Sequence, residues 1–143
     1  MSKLYTLFGS VLEEVEQVLK ETVDMSHPLV ILFRTALEDE QKALRNLLPM
    51  LQKTDVRLED FRTDCSIVYL NDEIVESTFR AWRRAVDWID HEDSKEAAKL
   101  ENRFPKIKQI LTEAATEIEN TYGDDTSKYV IPVLYRPQTG GVR

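Results

Sequence analysis

Between Gly9 and Gly123 the chain contains no glycine. Phosphate-cradling loops and sharp strand-to-helix turns need glycine so that the backbone can approach closely. A Rossmann, P-loop or α/β-hydrolase architecture is therefore not expected. What can occupy more than a hundred residues without glycine is helix, and the apolar pattern has that period.

The first helix is predicted over about Lys3 to Thr22. Leu4, Phe8, Val11, Val15 and Val18 repeat at spacings of 4, 3, 4 and 3, with Leu12 and Leu19 beside them. Gly9 lies inside this pattern, where glycine weakens a helix by about 1 kcal/mol relative to alanine. Close packing against another helix is the expected reason, with a kink as the alternative. Ser26 or His27 followed by Pro28 marks a second helix start. Leu29, Phe33, Leu37, Leu44, Leu47 and Leu51 carry its face, and Pro49 kinks or ends its last turn.

Thr54 to Leu70 is ambiguous. Leu58, Phe61, Cys65 and Val68 have helical spacing, so a short helix is favoured. The alternative is a short strand over 66–70, where Ser66-Ile67-Val68-Tyr69-Leu70 is rich in β-branched and aromatic residues. Asn71 then reads as the N-cap of a separate central helix, with Asp72 and Glu73 in its first turn. In that helix Val75, Phe79, Trp82, Val86 and Ile89 face inward, with Ile74, Ala81, Ala85 and Trp88 on a neighbouring seam. Glu76, Arg80, Arg83, Arg84 and Asp87 form the opposite face, including two i,i+4 ion pairs. Either tryptophan is expected to keep its indole N–H at the edge of the core, since a buried N–H needs a partner.

Asp93 or Ser94 reads as the next helix start, with Glu96 completing the capping pattern. Ala97, Leu100, Phe104, Ile107, Leu111, Ala114 and Ile118 then keep one phase through Pro105. That favours a single kinked helix over a break at Phe104, and Gly123 supplies its stop. The reading is a mainly α protein: an antiparallel bundle of about four to five helices over residues 1–123. Residues 124–143 form an extended C-terminal tail, which binds a partner or folds back on the bundle. A second short strand at 129–135 is an alternative, although Pro132 bars it from the centre of a sheet.

Charge and chemistry narrow the function. The chain of 143 residues has a net charge of −7. Residues 1–70 hold 8 basic and 12 acidic side chains and residues 71–143 hold 11 and 14, so the acidity is even. That argues against direct nucleic-acid binding. The longest apolar run, Pro28 to Phe33, is far short of the roughly 18 residues of a membrane span. No membrane partner is expected, and the N-terminus lacks the pattern of a secretory signal. With one cysteine, Cys65, the chain is expected to be cytoplasmic.

His27 and His91 are the only histidines, and no Glu-x-x-His motif occurs, so no metal site or other cofactor is expected. Cys65 lies at a core spacing and reads as a buried thiol rather than a nucleophile. No catalytic residue is assigned. The cluster Arg80, Arg83 and Arg84 beside Trp82 reads as an ion-paired outer face or a protein interface.

The strongest functional signal is the tail. Tyr129, Val130, Ile131, Val133, Leu134 and Tyr135, followed by Arg136, are too apolar for a linker and suit a groove or a sheet edge. Residues 128–143 carry three basic groups and no acid. The expected function is a non-enzymatic protein-interaction or assembly subunit, with a protein partner or self-association through the helix faces and the tail. The alternative is an acidic inhibitor that occupies a basic nucleic-acid-binding site on a target protein.

Overall fold

The computed structural model describes residues 2–89, 91–123 and 131–136. Five α-helices account for nearly all of them: α1 (Lys3–Glu21), α2 (Pro28–Leu51), α3 (Leu58–Ile89), α4 (His91–Leu100) and α5 (Arg103–Tyr122). No strand occurs among the described residues.

The ends follow local chemistry. The Ser2 hydroxyl accepts from the Tyr5 N–H to cap α1, and His27 Nδ1 accepts from the Leu29 N–H to cap α2, with Pro28 in its first turn. Pro49 lies two residues before the end of α2; it has no N–H to offer the carbonyl four residues back, and the helix stops at Leu51. Gly123 adopts φ 95° after α5 and its N–H bonds back to the Glu119 carbonyl, so here the stop does need glycine.

Cross-helix contacts give the topology. Glu16 of α1 meets Gln41 and Arg45 of α2, while Leu19 and Thr22 meet Arg34. Phe33 of α2 packs on Phe79 and Trp82 of α3, and Phe79 packs on Phe104 of α5, whereas Tyr69 reaches Leu111. Arg103 binds Glu21, and Lys106 binds Glu14. Glu40 of α2 lies beside Asp72 of α3, so in each helix pair one index rises as the other falls, and α1, α2, α3 and α5 form an antiparallel bundle. The α2–α3 pair is its most extensive interface, and α4 packs mainly on α3. One continuous apolar core runs through all five helices and includes Ile131 and Tyr135 of the tail.

Residues 66–70 are helical, as their apolar spacing favoured over a short strand, but no separate helix starts at Asn71: its side chain donates to the Ile67 carbonyl within one unbroken 32-residue helix. The inward row of α3 is Leu58, Phe61, Cys65, Val68, Asp72, Val75, Phe79, Trp82 and Val86, at spacings of 3 and 4 throughout. Asp72, a buried carboxyl at a core position, makes this row look like two. Ile74 and Trp88 are exposed and do not widen the core.

The last helical segment is two helices. The chain breaks at Glu101-Asn102, and Pro105 falls in the first turn of α5, where its missing N–H costs no intrahelical bond. Asn102 stays close to helical geometry (φ −86°, ψ −11°), so the apolar phase survives the break. At the start of α4 the helix begins at His91; Ser94 lies inside it, and its hydroxyl bonds to Asp87 and Arg83 rather than capping. The side chains of Ile89, His91 and Asp93 lie outside the described residues.

Finally, Gly9 has open space where a Cβ would stand, so close helix packing does not explain it.

Candidate functional site

Two carboxyl groups are buried in the core, and both sit in helical register with apolar residues. Glu40 falls between Leu37 and Leu44 on α2, and Asp72 between Val68 and Val75 on α3. A carboxyl group out of water costs several kcal/mol unless it is paired or protonated. Burial, followed by the neighbouring charge of Asp72, raises the Glu40 pKa well above the ordinary range, and neither Glu40 oxygen has a hydrogen-bond partner.

Asp72 is pushed up to about 7. Burial is the main cause, opposed by the Tyr135 hydroxyl, with Glu76 and Glu73 raising it further and Lys108 lowering it. The pair cannot both ionise at low cost, because like charges in a desolvated site repel strongly.

The tail covers this pair. Residues Val133–Tyr135 form a single 3-10 turn, with the Tyr135 N–H bonded to the Pro132 carbonyl. Ile131 and Tyr135 point into the core and are fully buried or nearly so. The Tyr135 hydroxyl donates to Asp72 Oδ2 at 2.5 Å, and its ring packs edge-on against Tyr69 at 5.1 Å. Tyr69 in turn donates to the Leu111 carbonyl at 2.6 Å. The described part of the tail is thus a compact turn seated on the bundle, not an extended segment.

Beside the turn lies a groove of about 750 Å³. Its apolar lining is Leu70, Ile74 and Leu134, exposed by 53%, 50% and 61%. Its charged lining is Arg80, Arg84 and Lys108 with Glu73 and Glu76. Three cations against two carboxylates leave this surface with one net positive charge on a chain of −7. Arg80 pairs with Glu76, and Lys108 lies 3.9 Å from the same carboxylate. Among the described residues Arg84 has no ion pair; its Nε contacts the Arg80 carbonyl at 3.5 Å.

The sequence-predicted residues therefore separate. Arg80, Arg84 and Leu134 come together in the groove. Arg83 does not: it binds Asp87 at 2.9 Å and Glu101 at 3.0 Å and ties α3 to α4. Ile131 and Tyr135 anchor the turn, and the Nε of Arg136 is buried without a partner. Tyr129, Val130 and the Val133 side chain lie outside the described residues.

Glu40 and Asp72 were missed by sequence reading. The signal was present: each is an acid exactly one helical step from a core leucine or valine on either side, where an exposed residue would break the row.

No cluster of three or more metal-ligating side chains occurs among the described residues. Burial pushes the Cys65 thiol far above its ordinary range, which makes it a poor nucleophile. No helix among the described residues is long and apolar enough to cross a membrane. Comparison with protein-family models, with curated proteins and with solved structures finds no match for this chain. The site is therefore read from its own geometry.

Proposed function

We propose that the chain is a non-enzymatic protein-interaction module. Its docking surface is the groove between α3, Lys108 of α5 and the tail turn. The occupant is a segment of a partner protein that carries apolar side chains next to a carboxylate. One observation carries this reading: a sequence-distant arginine pair and an exposed leucine of the tail line one groove with Leu70 and Ile74. Apolar surface of this kind, rimmed by polar groups, is what a short amphipathic segment covers. Arg84, with no carboxylate of its own among the described residues, supplies the complementary charge.

The acidic-inhibitor reading draws no support from the surface. Glu14, Glu16, Glu21, Glu76, Asp87 and Glu101 each pair with a cation, so these acids, spread over α1, α3 and the end of α4, are not free to imitate a row of phosphates.

The test uses two synthetic peptides, each with leucines at helical spacing, one flanked by glutamates and one by lysines. Fluorescence anisotropy should show the acidic peptide binding the wild-type chain and the basic one failing to bind. Ile74→Asp and Arg84→Glu should each weaken that binding about tenfold or more, as expected for loss of an interface contact of 1–2 kcal/mol. Lys42→Glu, exposed on α2, should not. Binding that ignores Ile74 and Arg84, or that prefers the basic peptide, would sink the reading. Concentration-dependent light scattering abolished by Ile74→Asp would instead identify the occupant as a second copy of the chain.

A further inference from the structure

The groove has one wall that is not part of a long helix. Leu134 belongs to the turn 131–136, and two buried side chains, Ile131 and Tyr135, hold that turn on the bundle. Among the described residues the polar hold is one hydrogen bond, from Tyr135 to Asp72. Beneath it lies Glu40, fully buried with both oxygens unpartnered.

We propose that the turn 131–136 is a proton-controlled latch on the groove. It closes over the Glu40–Asp72 pair while the pair holds a proton. When the pair loses that proton, the turn is released and Leu134 leaves the groove. The inference rests on the reading of the groove as a docking surface and assigns its regulation.

The surroundings of Asp72 support a coupling between charge and closure. From α2 it faces Glu40. From α3 it feels Glu73 and Glu76, and Tyr69 and Cys65 are buried on the same helix. From α5 it feels Lys108, and from the tail it meets Tyr135. Lys108 is the cation with the largest effect on Asp72, and it is partly exposed and shared with Glu76. Arg136 lies beside Tyr135 with its Nε buried, but among the described residues that Nε has no hydrogen-bond partner, and neither Glu40 oxygen has a hydrogen-bonded cation to balance a second negative charge. Seating Tyr135 excludes water from Asp72, which favours the neutral acid; its donated hydrogen bond favours the carboxylate, but burial is the larger effect. Lifting it readmits water, which favours the carboxylate. Closure and proton binding must then be linked, whatever the order of events.

Hydrogen exchange of the full chain, followed by mass spectrometry and corrected for intrinsic rates, tests the latch without any partner. Protection of the segment 131–136 should fall by on the order of tenfold between about pH 6 and about pH 8, while α1 stays protected. Asp72→Asn should abolish that change. Glu40→Gln, which leaves Asp72 in place, should reduce it, and so tests the proposal even if Asp72→Asn fails to fold. Flat protection in the wild type, or full pH dependence retained in either variant, overturns the latch.

The acidic leucine peptide separates this inference from the one beneath it. Ile74-dependent binding that is equal at both pH values, beside a latch that does move, overturns the regulation and leaves the groove. Peptide binding at neither pH overturns the docking reading and the regulation built on it.

Discussion

The Tyr135 hydroxyl donates to Asp72 across 63 positions of sequence, and it is the polar contact that fastens the tail to the bundle. Both partners are buried, and the acid sits beside a second buried acid, Glu40. This places a titratable group of unusual sign inside the core.

The consequence is a stability that rises as pH falls from neutral. Asp72 has a folded-state value of about 7, against roughly 3.9 in an unfolded chain. The folded state therefore holds the proton more tightly. Its contribution is fully present below about pH 4, is lost as pH rises through about 7, and is constant beyond that. That difference corresponds to an upper bound of about 4 kcal/mol. Glu21 acts oppositely: its hydrogen bond to Arg103 lowers its value, so its smaller contribution is lost only on further acidification. Thermal unfolding followed by circular dichroism should give a midpoint that climbs from about pH 8 to about pH 5.5. Asp72→Asn should raise the midpoint at pH 8 and flatten the slope. A wild-type midpoint that is level or falls over that range would contradict the assignment.

Much of this fold was legible in the residues. The phases of α1 and α2, the caps at His27 and Gly123, and the inward set Val75, Phe79, Trp82 and Val86 follow from spacing and side-chain chemistry alone. What could not be read was continuity. Asp72 stands where the pattern calls for an apolar residue, so α3 looks like two elements. The short break at Glu101-Asn102 keeps its phase, so α4 and α5 look like one. Both misreadings arise because hydrophobic period reports which face is buried, not whether the backbone between two buried residues is unbroken. The groove was half legible: Arg80, Arg84 and Leu134 were each singled out, but only tertiary packing sets them together and sends Arg83 elsewhere.

Glu40 offers a separate test of the buried pair. Its carboxyl has no hydrogen-bond partner and faces Asp72. Methionine matches its length and removes the desolvation cost. Glu40→Met should stabilise the chain by about 1–3 kcal/mol near neutral pH, by analogy with other buried charges replaced by apolar groups. Urea unfolding would show a higher midpoint with an unchanged slope. A lower midpoint would mean that Glu40 has a partner essential to the fold.

Gly9 is the simplest stabilisable position. It lies inside α1, and a Cβ there would meet no atom within 4 Å. Alanine lowers the entropy of the unfolded chain and improves helix propensity, so Gly9→Ala should add about 0.5–1 kcal/mol. A loss of stability on chemical denaturation would show that the backbone at this point needs glycine for a reason other than space.

The two tryptophans lie six residues apart on one helix, about 120° apart around its axis, and their settings are opposite. Trp82 is fully buried between Phe33 and Phe79, with ring centroids 5.9 and 6.0 Å away, and its indole N–H has no partner. Trp88 is 88% exposed. Trp82→Ala should cost about 3–5 kcal/mol as a large core truncation. Trp88→Ser should change stability by no more than about 0.5 kcal/mol. Fluorescence separates them directly. In Trp88→Phe the remaining emission should be blue-shifted and nearly insensitive to iodide. In Trp82→Phe it should lie at the wavelength of a solvated indole and quench readily. Strong iodide quenching of Trp82 would show water reaching the α2–α3–α5 core and would undo the packing on which the groove is built.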